Sequence, residues 1–216
     1  MPAPDDTQDR LLEAAGQVFA EKGYEGATVR EICKRAAVNI AAVNYYFRDK
    51  ERLYIEAVKS ACLGQAQQYP MPEWPAGTPA ATKLVDFINT MTRRMVDGGR
   101  SPWQRQLFLR EMAQPTAACG ELVRDHIRPN AEVLALILRD LLPDVPEAKR
   151  WLIGFSIIGQ CVFYRLAQPI VAQLLGDEAH RALDAALLAD HITQFSLAAL
   201  GLHQPGWQAS GKPDAK

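Results

Sequence analysis

Two asparagines and two tyrosines, Asn39, Asn44, Tyr45 and Tyr46, crowd one stretch of the segment TVREICKRAAVNIAAVNYYFRDK, which runs from Thr28 to Lys50. An Asn amide can pair bidentately with adenine in the major groove, and an apolar side chain such as Ile40 or Ala41 can touch a thymine methyl. Arg30, Tyr45, Tyr46 and Lys50 suit phosphates, which set register rather than sequence, and Thr28 is a further DNA-binding candidate. Five basic residues (Arg30, Lys34, Arg35, Arg48, Lys50) against two acidic ones (Glu31, Asp49) leave the segment at +3 on a chain whose formal charge is −1. A local positive patch on a nearly neutral chain fits docking at specific duplex sites better than indiscriminate coating.

These side chains need two short helices and a tight turn to present them. Thr28 with Glu31 fits a capping box, and Ala27 with Ile32 a weak hydrophobic staple. A helix over about 29–36 follows, with Ile32 and Ala36 inward. Ala37-Val38-Asn39 is the turn, Val38 its apolar plug and Asn39 the N-cap of the next helix. That helix, about 40–47, is too short to stand alone and must be held by packing through Val43 and Phe47. Ile40, Ala41, Asn44 and Tyr45 are left on its other face. Asp49 caps a further helix. The layout is that of a helix-turn-helix reader of duplex DNA.

Motif by motif, the segment Thr7–Val58 resembles the DNA-binding domain of TetR-family transcriptional repressors. The matching positions are Phe19, Gly23, Tyr24, Thr28, Ile32, Ala36, Val38, Tyr45, Phe47, Lys50 and Leu53. Cys33 stands at the usual Ala and Ala37 at the usual turn Gly, which costs about 1 kcal/mol if that residue is left-handed. Asn44 replaces the usual Tyr and Tyr46 the usual His, so the operator read would differ. The segments FLREMAQPTAA (108–118) and IIGQCVFYRLAQPIV (157–171), with the NIAAVNYYF helix, are similar to the CecR-like (YbiH-like) branch. That resemblance implies a ligand-responsive repressor binding a palindromic operator as a dimer and released by a small hydrophobic or drug-like effector. An activator of the same fold, or a helical module that sequesters small molecules, is the alternative.

The remaining chain reads as helices, so the expected fold is all-α. Expected spans are 7–22 with Gly23 as its stop, 49–68, 80–96 ending at Gly98-Gly99, 101–113, 116–142 kinked or split by Pro129, 146–167, a short piece at 170–175, and 178–201. Four prolines and a glycine in PMPEWPAGTP (70–79) break the pattern. The expected division is a reader over 1–54, whose last helix continues to about 69, an effector and dimerisation domain over 70–202, and a disordered tail over 203–216.

Composition excludes several classes. No run reaches the roughly 18 apolar residues of a membrane span, and the acidic, polar MPAPDDTQDR is not a signal peptide. Four scattered cysteines (33, 62, 119, 161) give no CxxC and no disulfide framework, which points to a reducing cytoplasm. There is no HExxH, GxSxG or phosphate loop. His180 and His191, expected on one helix, lie about 16 Å apart by helical rise and cannot chelate one ion. Neither enzyme, metal site nor cofactor is expected.

Two late helices are apolar on more than one side, which requires burial on two sides. Trp151, Ile158 and Val162, with Leu188, Ile192, Phe195 and Ala199, are the expected seam of a homodimer built as a four-helix bundle; a core helix of a monomer is the other reading. Trp103, Phe108, Met112, Phe155, Phe163 and Tyr164 could wall an effector cavity, with Arg110 and Gln160 as orienting groups. Arg94 and Arg110 are candidates for an anionic ligand group. For each aromatic, plain core packing is the alternative. Arg110 and Glu111, on different faces of one helix, could instead tie it to its neighbours.

Overall fold

The computed structural model describes residues 4–63, 66–97 and 101–202, so the expected Gly98-Gly99 stop and the tail from His203 lie outside the described residues. The described elements are helical throughout, as expected. They gather into two compact units, one of residues up to 67 with 101–129, the other of 68–97 with 130–202.

The first unit holds α1 (Pro4–Gly26), α2 (Val29–Ala36), α3 (Ala41–Phe47), α4 (Lys50–Leu63), α6 (Pro102–Ala113) and α7 (Ala117–Leu122). Its core joins Leu11, Val18 and Phe19 of α1 to Ile32, Val43, Phe47, Leu53 and Val58. The α6 side chains Trp103 and Leu107 belong to the same core. Residues 101–129 therefore pack with the short N-terminal helices, although the sequence division placed them beyond the break at 70–79. Gly23 takes φ 73°, as its stop role requires, and a further turn carries the helix to Gly26. The helix expected to reach residue 68 is described over Lys50–Leu63, and residues 66–68 are turns.

The second unit holds α5 (Ala80–Val96), α8 (Arg128–Leu141) from Asn130 onward, α9 (Glu147–Leu166), α10 (Gln168–Leu175), α11 (Asp177–Ala182) and α12 (Ala185–Ala199). Leu84, Phe87 and Ile88 of α5 share one core with Leu134, Ile137 and Leu138 of α8. Ile157 and Cys161 of α9 and Ile192 of α12 complete this core. Residues 70–75 carry no regular structure, and the Trp74 indole donates to Asp86 at 2.9 Å, pinning the segment to α5.

Two further spans differ from expectation. The run from Thr116 does not simply kink at Pro129: α7 passes into a π turn over Val123–Ile127, where the Arg128 N–H reaches the Val123 carbonyl. Proline has no N–H for the carbonyl four residues earlier, and a wider turn just before it accommodates that loss. The last helix is two helices, because Asp184 caps a fresh start by accepting from the Leu187 N–H at 2.8 Å. His180 and His191 accordingly lie on α11 and α12, not on one helix. No single helix among the described residues is long and apolar enough to cross a membrane.

Candidate nucleic-acid interface

Local capping builds the frame of α2 and α3. Thr28 Oγ1 accepts from the Glu31 N–H at 3.2 Å, which starts α2. Glu31 does not close the box; its carboxylate takes Lys22 at 2.7 Å instead. Ala37 is left-handed (φ 54°, ψ 45°), its N–H bonded to the Lys34 carbonyl and that of Val38 to the Cys33 carbonyl. This is the Schellman pattern, here without its usual glycine. Asn39 Oδ1 then accepts from the Ala41 N–H at 2.9 Å, so that oxygen caps α3 and is not available to a base. Ile40, expected as the first helical residue, is the N-cap position.

On α3, Val43 and Phe47 are buried, and Ala41, Asn44 and Tyr45 are exposed, Tyr45 to 81%. Ile40 is 46% exposed. Tyr46 is half-buried against the core and edge-on to Tyr45, with ring centroids 4.8 Å apart. Lys50 is also half-buried, its ammonium over the Tyr24 ring at 4.4 Å. Thr28 and Arg30 are exposed on α2.

The cations of this unit sort into two sets. Arg35 forms a two-pronged pair with Glu21 at 2.6 and 2.9 Å. The Arg35 hydrogen bond holds the Glu21 carboxyl below its ordinary value. Arg52 and Lys59 of α4 both donate to Glu121 of α7. Arg30, Lys34 and Arg48 make no side-chain hydrogen bond or ion pair among the described residues. A charge count along the chain could not separate these sets, because the partners Glu21 and Glu121 are distant in sequence. Burial raises the Cys33 thiol above its ordinary value.

The α6 helix is built into the same unit. The Trp103 indole donates to Glu13 Oε1 at 2.7 Å, and its ring lies where a side chain on Gly16 would stand. Seven residues on, Arg110 donates to the Ala20 carbonyl near the end of α1 and lies over Gly23. Glu111 is buried and accepts from the Tyr54 hydroxyl at 2.8 Å and from the Thr116 N–H at 2.8 Å. Burial, with the Glu111 bond second, pushes the Tyr54 phenol well above its ordinary value. Arg110 and Glu111 thus tie α6 to α1 and α4, the second of the two roles weighed for them.

The effector candidates are not gathered by the described contacts. Trp103, Phe108, Arg110 and Met112 sit on α6 in the first unit, where Trp103 and Phe108 are buried, Arg110 is engaged as above and Met112 is 43% exposed. Phe155, Gln160, Phe163 and Tyr164 sit on α9 in the second. Of these, Phe155 and Phe163 are 62% and 51% exposed, and the Gln160 amide bonds back to the Ser156 carbonyl. Tyr164 packs at the margin of the core. A groove of about 480 Å³ lies between α8 and α9, walled by Leu134, Leu138, Trp151, Gly154, Phe155 and Ile158. Only Phe155 of the eight candidates lines it. Arg94 is buried and bonded to the Tyr69 carbonyl and Asn130 Oδ1, with burial lowering its pKa.

The expected dimer seam needs correcting at two positions. Leu188 and Ile192 are buried inside the second unit and cannot meet a partner. The large apolar side chains exposed on these two helices are Leu152, Phe155 and Phe163 of α9 and Leu187 and Phe195 of α12. Trp151, Ile158 and Val162 are half-buried, and Ala199 is exposed.

Residues 11–57 match the model of the bacterial regulatory proteins of the tetR family, and residues 80–200 match that of the C-terminal domain of the HTH-type transcriptional dual regulator CecR. The HTH-type transcriptional repressor NicS of Pseudomonas putida is 33% identical over 86 residues, 39% of this chain and 41% of that protein. The chain spans 21–41% of the length of such curated relatives. A TetR-like transcriptional regulator from Rhodococcus sp. RHA1 shares the fold at a TM-score of 0.63 and 16% identity, covering 93% of this chain and 98% of that one. The regulator FadR from Bacillus subtilis, solved in complex with stearoyl-CoA, does so at 0.61 and 18%, covering 90% and 99%.

Proposed function

The chain belongs to the TetR family of bacterial transcriptional regulators, and on that premise we propose that it is a ligand-responsive repressor that binds a palindromic operator as a homodimer in the cytoplasm. The observation that carries this reading is the outward face of α3, where Asn44 and Tyr45 stand exposed on a helix anchored by Val43 and Phe47. In this reading the segment up to about residue 54, extended by α4, reads DNA, and residues 70–202 bind effector and partner. Asn44 is assigned to a base edge, with Ile40 and Ala41 beside it. Tyr45, Thr28 and Arg30 are assigned to phosphates, and the Asn39 amide nitrogen, Tyr46 and Lys50 to the margin.

A helix of this length touches few bases, and two copies one helical turn apart raise affinity and specificity together. The large apolar side chains exposed on α9 and α12 support such pairing, since apolar surface of this kind is commonly covered by a partner. The bound acyl-CoA in the FadR relative supports a hydrophobic effector class. Within the first unit, a shift of α6 would reach the reader through Trp103 and Arg110 on α1 and through Glu111 on α4. Reversing a 99:1 preference in this way needs about 5.5 kcal/mol of differential effector affinity.

Sedimentation of the full chain with a duplex it has selected tests the reading. Two protomers per site, with binding that weakens steeply in salt, are expected; a single protomer binding all sequences alike would contradict it. The relative whose C-terminal model matches is named a dual regulator, which favours activation at some promoters as a second reading. Reporter output from the selected site, with and without the protein, separates the two.

A further inference from the structure

We infer that Arg48 is a phosphate contact bought with backbone strain, a residue of the DNA interface that the family-like motif does not mark. The inference rests on α3 reading DNA and extends it. The motif passes from Phe47 to Lys50 without a requirement at 48, and nothing in the spacing of polar residues singles Arg48 out.

The backbone does. Arg48 has φ 71° and ψ −51°, one of two non-glycine residues among those described with positive φ. The Asp49 N–H reaches the Phe47 carbonyl across it at 2.9 Å, which makes 47–49 a γ-turn of the rare, strained hand. The turn is tight because Asp49 must already cap α4: its Oδ1 accepts from the Arg52 N–H at 2.7 Å. A glycine would meet this geometry without a Cβ clash. The chain instead carries one of the longest side chains there, and strain of this kind concentrates where function holds it in place.

The side chain is placed to use that position. Ala41, Asn44 and Tyr45 are exposed at i, i+3 and i+4 of α3, and Arg48, also exposed, follows directly on the last residue of that helix. Residues early in a reading helix meet base edges, and those past its end run out toward the backbone. The guanidinium has no hydrogen bond or ion pair among the described residues, whereas Arg35, Arg52 and Lys59 are engaged with carboxylates. Lys50, two residues on, is committed to the Tyr24 ring. Arg48 is therefore an uncommitted, fork-shaped donor at the rim of the reading face, the form suited to a phosphate. The competing role is purely structural, a cation at the carboxyl end of α3 that offsets the helix dipole.

The experiment measures binding of the full-length protein, wild type, Arg48→Gly, Arg48→Gln and Arg48→Lys, to a duplex selected by the wild type and to a scrambled duplex of equal length, over a salt series, with melting temperatures alongside. Arg48→Gly and Arg48→Gln are expected to weaken both duplexes by similar factors, roughly tenfold at low salt. They should flatten the log K against log salt slope by about 0.9 per subunit. Arg48→Lys should restore most of the slope, and Arg48→Gly should melt no lower than wild type. Wild-type affinity and slope in Arg48→Gln, together with a lower melting temperature, would overturn the inference in favour of the dipole role. Asn44→Ala distinguishes the underlying reading: if it leaves sequence preference intact, the assignment of α3 fails and the inference falls with it. If Asn44→Ala relaxes preference while the Arg48 variants bind normally, the Arg48 inference alone fails.

Discussion

The two units differ in how strongly local chemistry dictates them. In the first, the starts of α2, α3 and α4 are fixed by polar groups with partners nearby in sequence: Thr28 on Glu31, Asn39 on Ala41, Asp49 on Arg52. In the second, α9 and α12 are apolar on more than one side, and burial decides which of those sides faces in. Caps act over a few residues and carry their own register. Hydrophobicity spread over a whole helix carries a weak one.

The sharpest test of that difference lies on α12, where Ile192 is fully buried and Phe195 is 51% exposed. Ile192→Ala should destabilise the fold by roughly 2–5 kcal/mol in denaturant titration. Phe195→Ala should leave the fold nearly unchanged but weaken self-association in sedimentation. Equal effects on folding would mean that α12 is rotated from the orientation described here.

Next in size is Glu111, whose carboxylate holds the Tyr54 hydroxyl and the Thr116 N–H in a buried site. Glu111→Ala strands those donors and should cost about 2–3 kcal/mol. Because the link joins α6 to α4, a loss of stability well below that range would remove it as the coupling element.

Smaller, and opposite in sign, is Ala37→Gly. The left-handed turn between α2 and α3 carries a Cβ it does not need, so the glycine variant should gain up to about 1 kcal/mol. The melting temperature checks it, and a loss would show that the turn is not left-handed in solution.

Smallest is the acid response of the pairs on α4 and α7. The Lys59 hydrogen bond, and after it that of Arg52, hold Glu121 below the ordinary carboxylate value. A lowered folded-state pKa contributes stability above the unfolded value that disappears as pH falls through the folded one. Glu121→Gln should therefore differ from wild type in melting temperature at neutral pH and converge with it in acid.

Most of the first unit was legible in this way. The bounds of α2 follow from caps and breakers in the sequence, as do those of α5 in the second unit, and α3 is off by one residue because Asn39 caps from one position further out. Gly23 and Ala37 hold the positive φ that their stop and turn roles require. The attachment of α6 to α1 was not legible, since Trp103 to Glu13 spans ninety residues and Gly16 carries no signal of the ring that covers it. On α9 the expected seam of Trp151, Ile158 and Val162 is turned from the observed outward row of Leu152, Phe155 and Phe163. With apolar residues on more than one side and small residues at Gly154 and Gly159, nothing in the spacing sets the phase. The effector candidates, four on α6 and four on α9, were not told apart from core residues for a related reason: side chains able to wall a cavity are equally able to fill a core.

The most direct test is to select duplexes from a random pool with wild-type protein and with Asn44→Ala, and to compare the enriched sequences. Wild type should return a palindrome with half-sites about one helical turn apart, and Asn44→Ala should lose preference at one symmetric pair of positions while keeping the spacing. Identical enriched sequences from the two proteins, or no enrichment by either, would contradict the account.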